Sequence, residues 1–215
     1  MEITSLLVAG HVDAAWICGL PFVQHRANLQ LLAVPLYRGA PYYRSFLIAS
    51  AKDEIEEPEA LRGGIHAFSD PESNSGHLVT RAWLAARAET PGSFFGKFFF
   101  TYGHRNVIRA VAAGLARSGS VDSYVWEVMR ETEPHLIGLT RVVWRSPEMG
   151  FPPVAAPRGA DPGLTRALQS ALVDMPSSPV GRDVLAMLRL DGFSLEGPEL
   201  FDSIAADWRR VGDAG

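Results

Sequence analysis

Apolar positions follow two spacings along the chain. Short apolar runs bounded by glycine, proline or charge read as strands, and apolar residues three and four apart read as helices. Residues 3–9 read as the tail of a helix that stops at Gly10. Residues 12–18 read as a buried strand ended by the turn Gly19, Leu20, Pro21. Residues 29–37 and 44–49 read as strands, joined by a turn at Gly39, Ala40 and Pro41. A charged stretch, 52–62, holds a short helix at Pro58–Leu61, and a strand follows at 64–68. A helix is predicted over 78–88, a strand over 97–101 and a helix over 106–115, where Val107, Val111 and Leu115 recur every fourth residue. Residues 121–125 return to strand, and "PHLIGLTRVVWRS" gives two short strands, the second at 141–145. Amphipathic helices close the chain. They are marked by Leu164, Leu168, Leu172 and Met175, then Val184, Leu185 and Leu188, then Leu200, Ile204 and Trp208. Strands alternating with helices predict an α/β fold with largely parallel sheets.

Composition narrows the classes. The 215 residues are 47% hydrophobic and 20% charged, enough chain for one large domain or two small ones. A net charge of −4 gives no basic field, so no nucleic-acid partner is expected. The apolar runs are too short for a membrane span. A single cysteine, Cys18, excludes an intramolecular disulfide and a cysteine-rich metal site. The six histidines are scattered without metal-ligand spacing, and no phosphate-binding Gly-x-x-x-x-Gly-Lys motif occurs, so neither metal nor cofactor is expected. The start, Met1-Glu2-Ile3, lacks a basic and then apolar leader, which by itself predicts a cytoplasmic chain.

Candidate chemistry begins in "SDPESNSGHLVTRAWLAARAE", residues 69–89, where Ser73, Asn74, Ser75 and Gly76 run into a helical pattern. One reading is a helix cap. The other is an anion cradle, because the first amides of a helix have no partner within it and carry partial positive charge. His104, in "TYGHRN", lies between a strand and a helix, where it either caps that helix or meets a ligand. Asp122, in "GSVDSYVW", is expected at the start of a buried strand, as a turn aspartate or a ligand group. In that order, hydroxyls and amides would hold an oxyanion, His104 would donate to it, and Asp122 would accept from a protonated oxygen or an ammonium group. "GHVDAAW" (10–16) and "GSVDSYVW" (119–126) echo one another, as two similar βα halves would.

Five segments carry a family resemblance: "VDAAWICGLPFV" (12–23), "LRGGIHAFSDPESNSGHL" (61–78), "GHRNVIRAVAAGLA" (103–116), "VDSYVWE" (121–127) and "FPPVAA" (151–156), with "GRDVLAMLRLDGF" (181–193) fitting as well. With the DPxSxSG pattern, the downstream His and Val-Asp-Ser, the chain resembles the PhnD-like phosphate, phosphite and phosphonate binding proteins of ABC transporters, within the type II periplasmic binding proteins. The resemblance implies two α/β lobes with a ligand cleft between them, residues 1–43 plus 146–215 forming one and 44–145 the other. It implies a non-enzymatic protein that captures a small oxyanion and passes it to an ABC permease in the periplasm. Ser73, Asn74, Ser75 and Gly76 match the oxyanion loop, His104 and Asp122 match ligand contacts, and Phe22 falls where many members carry a tyrosine. Asn74 stands where threonine is common and His77 where tyrosine is common. The family's leader and first strand-helix unit are expected to be missing, which would expose a sheet edge and leave self-association through the shortened lobe open. Two alternatives stand beside this reading: a cytoplasmic sensor or interaction module, and an enzyme using His104 and Asp122 as a base and its orienting group.

Overall fold

The computed structural model describes residues 3–212. In chain order its elements are α1 (Ile3–Val8), β1 (Ala15–Trp16), α2 (Gly19–Gln24), β2 (Leu29–Leu36), β3 (Tyr42–Tyr43), β4 (Ser45–Ser50) and β5 (Ile65–Phe68). Then come α3 (Val79–Ala85), α4 (Pro91–Phe94), β6 (Lys97–Phe100), α5 (His104–Ala112), β7 (Ser118–Asp122), α6 (Ser123–Thr132), α7 (Pro134–Ile137) and β8 (Thr140–Arg145). The chain closes with β9 (Met149–Gly150), β10 (Val154–Pro157), α8 (Pro162–Val173), α9 (Pro179–Leu188), β11 (Gly192–Ser194) and α10 (Asp202–Gly212). Two compact units result. One joins residues through Tyr43 with Met149–Ala205, and the other joins Arg44–Glu148 with residues from Ala206 on.

The first unit is built on β2, whose Leu29, Leu32, Ala33 and Val34 are buried. Its sheet runs β1-β10-β2-β11, every pairing antiparallel, beside a small β3-β9 ribbon. Arg158 ties the entry to β2 by donating to the carbonyls of Arg26, Ala27 and Leu29. The helices start where side chains can meet their orphan amides: Asp161 accepts from Leu164 N–H at 2.8 Å, and Ser178 from Gly181 N–H at 2.9 Å, each with proline next.

The second unit holds the sheet β6-β5-β7-β4-β8. β5 is parallel to β6 and β7, while β4 is antiparallel to β7 and β8. Alternation along β4 separates two cores. Phe46 and Ile48 pack with Val107, Ile108, Val111 and Met129 of α5 and α6 on one face. Leu47 and Ala49 pack with Phe68, Trp83, Leu84 and Phe94 on the other. At the β6 edge, Phe98 and Phe99 stay partly exposed.

Several expectations change. The mixed α/β class stands, but parallel pairing is confined to β5, β6 and β7, because most neighbours in the sheets run antiparallel. The strand expected at 12–18 shrinks to Ala15–Trp16, and the turn expected at Gly19 opens α2 instead, proline being tolerated in a first helical turn. "PHLIG" is the helix α7, with Pro134 at its first position, rather than a strand. The expected strand 121–125 ends at Asp122, which caps α6, so Val125 is helical. The hairpin before β3 turns on Arg38 (φ 54°) and Gly39 (φ 75°), both left-handed as a two-residue hairpin requires.

Gly119 on β7 is a close-approach position. A β-carbon there would run into Val107 of α5 and come within 3.1 Å of the Ala67 carbonyl. Gly119→Ala is expected to lower unfolding free energy by about 1–3 kcal/mol, read as a reduced midpoint in urea.

Candidate functional site

β5 delivers the chain to the loop at 69–73. Asp70 Oδ1 accepts from Glu72 N–H at 2.8 Å, and Ser73 N–H reaches the Asp70 carbonyl at 3.1 Å. Ser73 then takes an extended ψ of 131°, and its hydroxyl accepts from Gly76 N–H at 3.0 Å. The following turn, Asn74–Leu78, is one residue wider than an α-helical turn. Leu78 N–H bonds the Ser73 carbonyl at 3.0 Å, and Val79 N–H bonds that of Asn74. Ser75 is 1% exposed, yet its N–H and hydroxyl meet no acceptor among the described residues. Its carbonyl is held by the Ser45 hydroxyl at 2.6 Å. His77 closes the loop by donating through Nδ1 to the Pro71 carbonyl at 2.8 Å, its ring edge-on to Phe68 and Phe100.

Gly76 lies where side chains converge. A β-carbon there would stand 2.7 Å from Ser69 Cβ and 2.9 Å from His104 Cε1, so glycine lets the imidazole lie against the turn. His104 opens α5, and its Nδ1 accepts the backbone N–H of Asp122 at 3.2 Å. Burial lowers its pKa to about 4, so near neutral pH the ring is neutral and its single N–H is on Nε2, a donor. Asp122 ends β7 and is 5% exposed. Its Oδ1 caps α6, accepting from Tyr124 N–H at 2.8 Å and Val125 N–H at 3.3 Å. Burial pushes the carboxyl up to about 7 despite these two amides. A groove of about 350 Å³ beside His104 is lined by Gly103, Arg105, Asn106, Arg109 and Val125.

The second unit thus brings the 73–76 turn, His104 and Asp122 into one chain of contacts. Phe22 belongs to the first unit. It is 1% exposed there, its ring edge-on to Phe201 at 4.9 Å. His104 and Asp122 meet through the aspartate's backbone N–H, and the carboxylate's Oδ1 serves the helix cap. Sequence reasoning missed Ser45 and Ser69. Ser45 is an unremarked first residue of a strand. Ser69, whose buried hydroxyl has no hydrogen-bond partner, precedes the Asp-Pro signal that drew the eye. Among the described residues no group of His, Cys, Asp and Glu could hold a metal ion, and no helix is long and apolar enough to cross a membrane.

The model of a family described as ABC transporter, phosphonate, periplasmic substrate-binding protein matches residues 1–196. Among solved structures, a binding protein component of an ABC phosphonate transporter from Pseudomonas aeruginosa superposes with a TM-score of 0.88 at 21% identity, covering 99% of this chain and 74% of that one. PhnD1 from Prochlorococcus marinus, in complex with methylphosphonate, gives 0.87 at 19% identity, covering 97% and 82%. A more distant likeness, a sulfonate-binding protein from Methylobacillus flagellatus, gives 0.59 at 14% identity, covering 97% and 68%. The structural likenesses establish the periplasmic-binding-protein fold, and the family match over residues 1–196 establishes more: the chain belongs to the periplasmic substrate-binding proteins of phosphonate ABC transporters.

Proposed function

We propose that this chain holds a phosphonate, or a kindred tetrahedral oxyanion, at the 73–76 turn with His104 and Asp122, and hands it to an ABC permease without chemical change. The observation that carries this reading is Ser75, a buried residue whose N–H and hydroxyl meet no acceptor among the described residues and which directly precedes Gly76, the glycine against which the His104 ring lies. A buried donor without an acceptor costs about 1–3 kcal/mol, and an anion would satisfy it with charge-assisted hydrogen bonds. Asp122 sorts ligands by proton. As a carboxylate it accepts from a protonated phosphonate oxygen or an ammonium substituent, and as the acid it donates. The family match supports a periplasmic setting and the permease as partner. The backbone-only link between His104 and Asp122 supports binding without turnover.

A melting panel with phosphate, phosphite, methylphosphonate, aminoethylphosphonate, sulfate and a carboxylate control tests the reading. At a hundred times its dissociation constant, the preferred oxyanion should add about 2.7 kcal/mol. That corresponds to a melting rise of roughly 5 to 10 °C. A cooperative melt that no oxyanion moves would overturn it. Ser75→Ala should weaken binding about tenfold or more by titration calorimetry, the worth of a hydrogen bond to a charged group, with the ligand-free melt little changed.

Asp122 also makes stability depend on pH. The folded chain keeps its proton up to about pH 7, whereas the unfolded chain loses it near the ordinary 3.8. Folding therefore takes up a proton in that window, and this group's contribution declines as pH rises from 4 to 7 and stays reduced above. Asp122→Asn, which keeps the cap, should gain stability relative to the parent by ~1–3 kcal/mol between pH 5 and pH 8 in urea unfolding. Parallel pH profiles for the two chains would contradict the assignment.

A further inference from the structure

Beneath the candidate site runs a polar chain that the oxyanion contacts do not use. His66 on β5 is fully buried, its ring stacked on Phe95 at 4.0 Å and edge-on to Phe68 at 4.5 Å. Its Nδ1 meets the Ser118 hydroxyl at 2.8 Å, its Nε2 meets the Ser120 hydroxyl at 2.8 Å, and Ser120 meets the Thr80 hydroxyl at 2.7 Å. Every member is buried, and burial lowers the imidazole pKa to about 3, so the ring is neutral. A neutral ring donates from one nitrogen and accepts at the other. The hydrogen bonds therefore point one way along the whole chain, either from Ser118 towards Thr80 or from Thr80 towards Ser118.

The ends of this chain define what it joins. Thr80 lies two residues beyond Leu78, in the helix that continues the oxyanion turn. Ser120 lies two residues before Asp122 on β7. Apolar side chains would fill the same space, but dispersion has no preferred direction, whereas each of these bonds has a required distance and angle. A ligand gripped by both the turn and the Asp122 region needs those two elements at a fixed spacing.

We propose that the Thr80–Ser120–His66–Ser118 chain is a positioning device that sets the oxyanion turn relative to Asp122 and so preorganises the site. The proposal rests on the oxyanion reading above, and its test separates the two. Thr80→Val cuts the link between α3 and β7 while keeping the shape of the side chain, and Thr80→Ser keeps the hydroxyl. Ser120→Ala cuts the same link from the strand side and serves if the valine variant folds poorly. In the full chain, Thr80→Val should bind methylphosphonate, or whichever oxyanion the melting panel selects, at least tenfold more weakly, while Thr80→Ser stays within threefold of the parent. Without ligand, hydrogen exchange at the Gly76 and Val125 amides should quicken about tenfold in Thr80→Val but not in Thr80→Ser, with the β2 amides unchanged. Imidazole nitrogen shifts should report His66 fixed with its proton on Nδ1 in the valine variant, because Ser120 then has no acceptor but the ring. Equal affinity and equal exchange in the valine and serine variants would overturn the positioning role. If the parent chain binds no oxyanion, the binding reading fails and the exchange comparison alone decides this one.

Discussion

The N–H groups of Leu78 and Val79 each reach back five residues, to the carbonyls of Ser73 and Asn74, and the candidate site depends on that wide turn. The two bonds widen the start of the helix by a residue. The turn can then spend its Ser73 hydroxyl on Gly76 and leave Ser75 with donors to spare. Such a turn is not stable by its own contacts, and the surroundings hold it. Ser45 fastens the Ser75 carbonyl, His77 fastens the Pro71 carbonyl, and the bare face of Gly76 admits His104. Retaining unsatisfied donors in a buried place is a local loss that the two cores of the second unit offset.

Little fixed charge accompanies those donors. His104 is neutral because it is buried, and Asp122 sits near the midpoint of its titration at neutral pH. The donors of the turn are oriented dipoles rather than charges. Arg105 and Arg109 line the neighbouring groove, with Arg109 paired to Glu133 at 3.6 Å.

The turn was legible in the sequence because its signals are local. Asp70-Pro71 starts a loop, Ser73 is a cap residue, and Gly76 is the one residue type that fits beneath a ring. The order of turn, His104 and Asp122 was legible too, although Asp122 proved to end its strand rather than begin one. A Val-Asp-Ser sequence suits either place, and only the pairing of Ser45 with Asp122 across β4 and β7 decides it. Strand direction was unreadable for a similar reason. The antiparallel partners of β4 are far away in the chain, and local periodicity carries no trace of them. The His66 chain escaped notice because serine, threonine and histidine on buried strands look no different in sequence from exposed ones.

The connectivity also dictates an order of assembly on the ribosome. The strands of the second unit all lie between Ser45 and Arg145, so its sheet can close while later residues are still being made. In the first unit β2 must wait for β10 and β11, whose last residue is Ser194, more than 150 positions downstream. Until β10 is made the apolar side chains of β2 have no strand to pair with, whereas the strands of the second unit's sheet are already complete. The unit that carries the 73–76 turn therefore has a sheet whose strands are all made before the last strand of the first unit.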